Sequence, residues 1–261
     1  MQLPIYQVDA FTSELFSGNP AAVVPLEEWI TDEQMQNIAA ENNLSETAFF
    51  VKEGESYRLR WFTPTVEVDL CGHATLATAH VLFTELGYDQ DEIVFKTRSG
   101  LLTVSREEDK LMMNFPADDM PQADAPDVLF RALGIKKTSK TYKTDDWMVL
   151  LDTEEEVANL QPDMNMLNEV QARGIIVTAP GDEVDFVSRF FAPQSGVDED
   201  PVTGSAHTKS TPYWSKQLGE KVLSARQISK RGGNLICRMQ GDRVEILGHA
   251  VTYLKGEISI G

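Results

Sequence analysis

The chain has 261 residues, of which 42% are hydrophobic and 25% charged, the composition of an ordinary globular protein with a sizeable core. Its 41 acidic and 23 basic residues give a net charge of −18, which repels phosphate backbones and argues against a nucleic-acid partner. Two cysteines are too few for a disulfide framework, and no apolar run is long enough to span a membrane. We therefore expect a cytoplasmic protein with one large domain or two of ordinary size.

The first half of the chain predicts strands arranged about one apolar helix. Thr31 and Gln34 form a capping box at the start of an earlier amphipathic helix. The second predicted helix, 74–86, is apolar on nearly every side, which is typical of a helix buried in the middle of a domain. The strands are predicted at 5–11, 47–52, 57–63, 93–97, 101–105 and 111–115.

The second half repeats this order after a Pro-, Asp- and Ala-rich linker at 116–126. A central helix is predicted at 204–218, where Gly219 ends it. Both halves thus predict the α+β class, with strands wrapped around one buried helix. We expect a first domain at 1–116, joined by a returning strand at 250–261, and a second domain at 117–249.

One stretch of the first half, 61–75, recurs in part at 189–206. At one constant spacing, the following pairs correspond: Phe62 and Phe191, Pro64 and Pro193, Val68 and Val197, Asp69 and Asp198. Gly72 and Gly204 then correspond after a three-residue insertion in the second copy. The recurrence predicts two similar domains, each directing one loop–helix junction towards a shared cleft.

Glu46 is the first candidate for chemistry. It lies soon after a helix and at the start of a very apolar strand, Ala48-Phe49-Phe50-Val51. A carboxylate beside an apolar surface tends to have a raised pKa, which suits proton transfer near neutral pH. From spacing alone, however, a solvated turn is the more frequent place for such a glutamate.

The starts of the two central helices form a second candidate site. Glycines at Gly72 and Gly204 let the backbone approach a ligand closely, and free amides at a helix N-terminus bind carboxylates or phosphates. Plain capping by Asp69 and Thr203 explains the same pattern. His73 could orient a ligand or relay a proton, or it could be a structural hydrogen-bonding group.

Other polar residues leave alternatives open. The acidic run 198–200 could supply a second carboxylate, although charge runs are usually solvated turns. No His-x-x-His or Cys-x-x-Cys spacing occurs, so no metal site is predicted. Cys71 could act as a thiol base at a helix start, but a two-thiol racemase needs a partner cysteine, and the matching position is Thr203. Cys237 lies in an apolar strand and is predicted to be structural.

Five motifs, found in order along the chain, resemble the phenazine-biosynthesis PhzF-like family, whose fold is similar to that of diaminopimelate epimerase. They are Asp9-Ala10-Phe11-Thr12, Gly18-Asn19-Pro20-Ala21-Ala22-Val23, Leu44-Ser45-Glu46-Thr47-Ala48-Phe49, Leu70-Cys71-Gly72-His73-Ala74-Thr75 and Asp200-Pro201-Val202-Thr203-Gly204-Ser205-Ala206. The resemblance covers essentially the whole chain.

The resemblance implies two similar domains, each a strand barrel around a central helix, with the site in the cleft between them. It also implies isomerase chemistry without a cofactor, and a homodimer. Carried over by motif, Glu46 matches the catalytic acid/base. The resemblance further assigns catalytic roles to His73 and Asp200 and substrate-binding roles to Asn19, Gly72, Gly204 and Ser205.

We therefore predict an isomerase that moves a proton within a small carboxylate-bearing metabolite, with Glu46 taking and returning it. One alternative is an amino-acid racemase or epimerase that uses Cys71. Another is a catalytically silent protein that keeps the cleft for a small molecule or a protein partner. The resemblance leaves the physiological substrate open.

Overall fold

The computed structural model describes residues 1–138 and 140–260. Contacts within the chain divide it into two compact units, Met1–Phe115 with Glu245–Gly261, and Pro116–Val244. The α+β class is confirmed, because each unit combines mainly antiparallel strands with one long central helix and shorter helices. The domain limits drawn from the sequence stay a prediction. Within the described residues, no helix is both long and apolar enough to cross a membrane.

The first unit is built on antiparallel and parallel strand pairs. Strand β1 pairs antiparallel with β2 and β17, β2 pairs parallel with β3, and β3 pairs antiparallel with β4. The elements are β1 (Gln2–Ala10), β2 (Asn19–Leu26), α1 (Asp32–Asn42), β3 (Glu46–Glu53), β4 (Ser56–Phe62), β5 (Glu67–Val68), α2 (Gly72–Thr84), β6 (Glu92–Thr97), β7 (Gly100–Glu107), β8 (Lys110–Pro116) and β17 (Ala250–Ser259).

Helix α2 is the buried centre of the first unit. Alanine, leucine and other apolar residues occupy most of its surface and contact β1, β2 and β3. Its buried threonines are satisfied within the helix, since Thr75 donates to the Cys71 carbonyl at 2.6 Å and Thr78 to the Ala74 carbonyl at 2.7 Å. The helix begins at Gly72, slightly before the predicted start.

The second unit repeats the plan around α6. Strands β10 and β11 are parallel, β11 and β12 antiparallel, and Trp214 of α6 donates to Thr178 of β11 at 3.0 Å. The elements are α3 (Asp127–Leu133), β9 (Thr141–Lys143), β10 (Trp147–Leu150), α4 (Glu154–Ala158), α5 (Met164–Leu167), β11 (Ile175–Pro180), β12 (Phe186–Ala192), β13 (Val197–Asp200), α6 (Gly204–Leu218), β14 (Val222–Gln227) and β15 (Gly233–Gln240). Strand β16 (Arg243–Gly248) begins in the second unit and continues from Glu245 in the first.

An arginine–glutamate pair occurs at the same place in each unit. The Arg60 guanidinium on β4 donates twice to Glu67 on β5, at 2.7 Å for both bonds. The Arg189 guanidinium on β12 donates twice to Glu199 on β13, at 2.7 and 2.9 Å. Bidentate pairs of this kind fix both geometry and charge, and each one here is mostly buried. The two units are therefore alike in strand register as well as in order.

This register corrects one part of the predicted repeat. Glu67 lies opposite Phe62, and Glu199 opposite Phe191, so the two glutamates correspond. The match of Val68 and Asp69 with Val197 and Asp198 is wrong. The extra residues of the second copy lie before β13, in the 3-10 turn Pro193–Ser195, and not after the acidic run.

Candidate functional site

Glu46 begins strand β3 and is not a solvated turn residue. It pairs with Ala21 on the parallel strand β2, which fixes its backbone. Its side chain is 17% exposed. The residues that follow, Ala48 to Phe50, are buried, so the carboxylate lies at the edge of the apolar interior. A carboxylate in such a place is reachable by a small molecule and partly withdrawn from water.

His73, the second residue of α2, faces Glu46. The His73 Nε2 atom lies 3.1 Å from the Glu46 Oε2 atom, and the His73 side chain is 6% exposed. On the other side of the ring, Nδ1 lies 3.2 Å from Asn19 Nδ2 and 3.5 Å from Cys71 Sγ. The first unit thus gathers the side chains of Glu46, Asn19 and Cys71 around one imidazole.

Burial controls the protonation of Cys71. Burial, together with the nearby charge of Glu46, raises the pKa of the Cys71 thiol to about 11, although His73 acts to lower it. For His73, burial opposes the charged form, but the contacts of the ring with Cys71 and with the Glu46 carboxylate outweigh burial and raise the His73 pKa well above 6.5. Cys71 is therefore a protonated thiol at neutral pH, which is not the state of a thiolate base.

The start of α2 is not capped by a side chain. Cys71 occupies the N-cap position and makes no side-chain cap hydrogen bond. Asp69, the predicted cap, is 74% exposed and lies near Arg98 instead. No side-chain cap therefore occupies this helix start, where the helix dipole favours an anion.

The same cluster also contains ligand types that bind metals. One ligand atom each from Glu46, Cys71 and His73 lie within 4.8 Å of one another. The two closest approaches use opposite ring nitrogens, Nε2 towards Glu46 and Nδ1 towards Cys71. A single ion can bind only one of these nitrogens, so the two close approaches do not converge on one ion position. The absence of a metal stays a prediction.

In the second unit, the loop before α6 holds Asp200 and Thr203. The Thr203 hydroxyl donates to the Asp200 carboxylate, so Thr203 stands at the N-cap position but makes no side-chain cap. Ser205 is the second residue of α6, at the place that His73 has in α2, and its side chain is partly exposed. The acidic run is a short strand and not the solvated turn that such runs usually form.

Gln227, at the end of β14, holds this loop, and it was not predicted from the sequence. Its side chain is fully buried. Gln227 Nε2 donates to the Asp200 carbonyl at 2.7 Å and to the Thr203 hydroxyl at 3.3 Å, while Oε1 accepts from the Thr203 amide at 2.9 Å. No local pattern marks a single glutamine at a strand end, because its partners lie far away in the chain.

His207 is a second fully buried imidazole, one turn into α6. Its Nδ1 atom lies 2.8 Å from the Thr203 carbonyl and therefore donates to it. Burial lowers the pKa of His207 to about 4, against a small upward effect of the Thr203 carbonyl. His207 is therefore neutral at physiological pH, with its proton on Nδ1.

The two units differ in one respect that matters for chemistry. Thr47 lies opposite Phe62 on β4, and Ile175 lies opposite Phe191 on β12. The residue that precedes Thr47 is Glu46, and the residue that precedes Ile175 is Gly174. A Cβ atom at Gly174 would lie 2.1 Å from the Phe190 ring, so any side chain there would require that ring to move. Only the first unit carries a carboxylate at this position.

The structure brings the predicted site residues together in two groups. The first unit places the side chains of Asn19, Glu46 and His73 and the backbone of Gly72 around one point. The second unit places Asp200, Gly204 and Ser205 at the start of α6. The meeting of these two groups in one cleft stays a prediction.

Comparison with known proteins assigns the chain to a protein family. Residues 8–256 match the family model of phenazine biosynthesis-like proteins, the PhzC-PhzF family. The chain is 53% identical to an uncharacterized isomerase of Pseudomonas aeruginosa, over 100% of both chains. A solved phenazine biosynthesis protein of the PhzF family from Enterococcus faecalis superposes with a TM-score of 0.97 at 49% identity, over 100% of both chains.

More distant structures share the fold alone. A probable proline racemase from Agrobacterium radiobacter superposes with a TM-score of 0.63 at 12% identity and covers 99% of this chain and 93% of its own. The fold is thus the epimerase-like one that the resemblance implied. The chain belongs to the phenazine biosynthesis-like PhzC-PhzF family.

Proposed function

We propose that the protein is a cofactor-independent isomerase that moves a proton within a small carboxylate-bearing metabolite. The observation that carries the proposal is the pairing of Glu46 with His73, without a carboxylate at the equivalent position, Gly174, of the second unit. We assign both the removal and the return of the proton to Glu46. The isomerase name of the relative from Pseudomonas aeruginosa supports the same class of reaction.

The proposed reaction uses Glu46 as a base and then as an acid. The ionised carboxylate takes a proton from a carbon next to the substrate carboxylate or to a double bond conjugated with it. The electron pair left behind shifts along the substrate, and the protonated Glu46 returns the proton to another carbon on the same face. Atoms and charge balance within the substrate, so no co-reactant is needed.

The other predicted site residues have binding roles in this proposal. The free amides at Gly72 and Gly204 would hold the substrate carboxylate, because each helix start favours an anion. Ser205 would add a hydroxyl, and Asp200 would orient a polar group of the substrate. We place the substrate in a cleft between the two units, as in the family that the sequence resembles.

A racemase reaction fits the site less well. Inversion at one carbon needs acid/base groups on both faces of the substrate, and Cys71 is the only thiol beside Glu46 in the described part of the first unit. Burial raises the pKa of the Cys71 thiol to about 11, so it is a poor base at neutral pH. At the matching position, the Thr203 hydroxyl is engaged by Asp200.

The experiment is to incubate the protein in deuterated water with a panel of small unsaturated and amino carboxylates and to follow each by proton NMR. Deuterium at a new carbon in a rearranged product supports the proposal. Inversion at one centre with deuterium there supports the racemase. Tight binding without exchange in any member supports the catalytically silent alternative and contradicts the isomerase.

We further propose that the protein forms a homodimer through an apolar surface of the first unit. Phe16 and Tyr253 contact each other with ring centroids 5.6 Å apart, yet they are 68% and 47% exposed. Light scattering after size-exclusion chromatography should show a dimer that Phe16→Ser weakens. Leu101→Ser, at a 70% exposed apolar residue elsewhere in the unit, is the matched control. A monomeric wild-type protein at micromolar concentration would contradict the proposal. The cytoplasmic location stays a prediction.

A further inference from the structure

Strand β17 pairs with β1 through one edge, and its main chain shows which groups point to the other. The main chains of Met1 and Ile260 exchange two hydrogen bonds, at 2.8 and 2.9 Å, just beyond the end of β17. Hydrogen-bonded and non-hydrogen-bonded pairs alternate along an antiparallel ladder, so Gly256, opposite Ile5, also bonds to β1. The residues in between direct their N–H and C=O groups away from β1, and these are Lys255, Glu257 and Ser259.

This outer edge of β17 is exposed. Residues 253 to 257 are all exposed in the described structure. Pro4, which has no N–H to donate, lies opposite Glu257, as the alternation requires. A row of exposed N–H and C=O groups on an edge strand is a template for pairing with another chain. The side chains of β17 then decide which strand fits.

We propose that this edge of β17 pairs antiparallel with the same edge of a second copy of the chain, about a two-fold axis at Gly256. In this register Gly256 lies opposite Gly256 of the partner subunit, and Lys255 lies opposite Glu257 of the partner subunit. The assignment rests on the homodimer proposed above and names the strand that joins the two copies. A dimer held by a different surface would contradict the assignment and leave the homodimer itself intact.

Gly256 is not required by the fold of one copy. It is not among the glycines with a positive φ, and a Cβ atom there would meet only ordinary contacts, 3.8 Å from Leu254 and 4.0 Å from Ile5. The register with β1 is regular at this point, so a bulge does not explain the glycine either. Glycine inside a strand is also typical of a place where another backbone comes close. A two-fold axis at Gly256 sets the two Cα atoms about 4.5 Å apart, as in a non-hydrogen-bonded pair.

The charges on the edge select this register. A two-fold axis at Lys255 would set two lysines opposite each other, and an axis at Glu257 would set two glutamates opposite each other. The axis at Gly256 gives two pairs of opposite charge, which stabilise neighbouring antiparallel strands, whereas like charges destabilise them. Lys255 contacts Glu85 but keeps 60% of its side chain exposed, and Glu257 makes none of the ion pairs of the described residues. A lysine alone discourages pairing at an edge, but here each lysine meets a glutamate.

Apolar side chains extend the same surface. On the face of β17 opposite to Lys255, the register sets Leu254 across from Ile258 of the partner subunit. Leu254 is 41% exposed, so it has apolar area to bury. Tyr253, which contacts Phe16, lies on the same strand. The edge is therefore continuous with the apolar surface already proposed for the homodimer.

The first test joins the two copies by a disulfide at the proposed axis. Gly256→Cys sets two thiols across a pair whose Cα atoms are about 4.5 Å apart, within the range of about 4.4–6.8 Å that a disulfide spans. Cys71 and Cys237 are buried, so they do not compete. We expect mild oxidation to convert most of the Gly256→Cys protein into a covalent dimer on a non-reducing gel. Glu257→Cys is the matched control, because its two Cα atoms would be about 8–9 Å apart in this register.

The second test reverses the charge pairs. Glu257→Lys turns both pairs of opposite charge into pairs of like charge, so the Kd of the dimer should rise at least about tenfold. Light scattering over a dilution series measures this Kd. Glu27→Lys makes the same change of charge at an exposed residue of the first unit and should leave the Kd unchanged.

The outcomes separate the surface from the homodimer. A wild-type dimer in which Gly256→Cys does not cross-link, or cross-links no faster than Glu257→Cys, would overturn the assignment but not the homodimer. An unchanged Kd in Glu257→Lys, or an equal rise in Glu27→Lys, would also overturn the assignment. A monomeric wild-type protein would overturn both, and the edge would then be free for an extended segment of a different protein.

Discussion

The buried His207 should make the protein lose stability as the pH falls below about 6.5. A histidine in the unfolded chain has a pKa of about 6.5, whereas burial lowers the pKa of His207 in the folded protein to about 4. Between these values the unfolded chain binds the extra proton, so protonation favours unfolding. The stabilising contribution is present above the unfolded pKa and is lost as the pH falls towards 4.

The size of the effect follows from the two pKa values. The full difference corresponds to about 3 kcal/mol, and integration of the linkage relation gives a loss of about 2 kcal/mol between pH 8 and pH 5. Urea unfolding at pH 8, 7, 6 and 5 measures the free energy of unfolding directly. His207→Gln removes the titrating ring. Between pH 8 and pH 5, the free energy of unfolding of this variant should therefore fall by about 2 kcal/mol less than that of the wild-type protein.

A packing variant of the same region is the matched control. Phe186 lies against His207 with ring centroids 5.8 Å apart. Phe186→Leu should lower the free energy of unfolding by about 1–3 kcal/mol at every pH and keep the wild-type pH dependence. Equal pH dependence of wild type and His207→Gln would refute the reasoning, because the pKa of His207 would then be the same in the folded and unfolded states.

Three further predictions follow from single contacts. Cys71→Ser should keep turnover within about tenfold of wild type, because burial holds the thiol neutral with a pKa of about 11. A loss of turnover as large as that expected when Glu46 is replaced would instead support the racemase alternative. Gln227→Met should lower the free energy of unfolding by about 1–3 kcal/mol in urea, since the buried Thr203 amide loses its acceptor, and wild-type stability would contradict this. Gly18→Ala should be at least about twice as destabilising as Gly54→Ala. Both glycines have a positive φ, but only Gly18 lacks room for a Cβ atom. Equal melting temperatures of the two variants would contradict this prediction.

Local patterns in the sequence predict much of the fold. The bounds of α6, Gly204 to Leu218, are the predicted ones, because Gly219 at a φ of +75° ends the helix in the way glycine commonly does. Helix α2 could be predicted because its sequence is apolar around the whole circumference. These signals lie within a few residues of the structure they specify.

The sequence alignment of the two halves was wrong at one place. A Val-Asp dipeptide occurs in both halves at the same spacing, and the alignment paired these dipeptides instead of the two corresponding glutamates. The signal that fixes the register is the pairing of Glu67 with Arg60 and of Glu199 with Arg189. Each pair joins neighbouring strands, so its geometry appears only when the hairpin is formed.

The site could be predicted in part, and through the resemblance more than through spacing. Spacing alone favoured a solvated position for Glu46, because its environment depends on His73, which comes from a different element much later in the chain. The role of Asp69 as a cap was wrong because its carboxylate lies towards Arg98. Gln227 was not predicted for the same reason: its hydrogen-bond partners are distant in sequence, so no local pattern marks it.

The central claim is that Glu46 takes and returns the proton, and Glu46→Gln tests it most directly. The change removes ionisation at nearly constant shape, and loss of an essential acid/base group costs about 10²–10⁴-fold in rate. Glu53→Gln, at the other end of β3, is the matched control, since Glu53 pairs with Arg58 and Lys96 at the surface.

The measurement is the rate of deuterium incorporation from deuterated water into a carboxylate that the wild-type protein isomerises. Glu53→Gln should exchange at the wild-type rate, and folded Glu46→Gln should show a loss of at least about a hundredfold. Exchange by Glu46→Gln at the wild-type rate would contradict the account, because the proton would then be carried by another group.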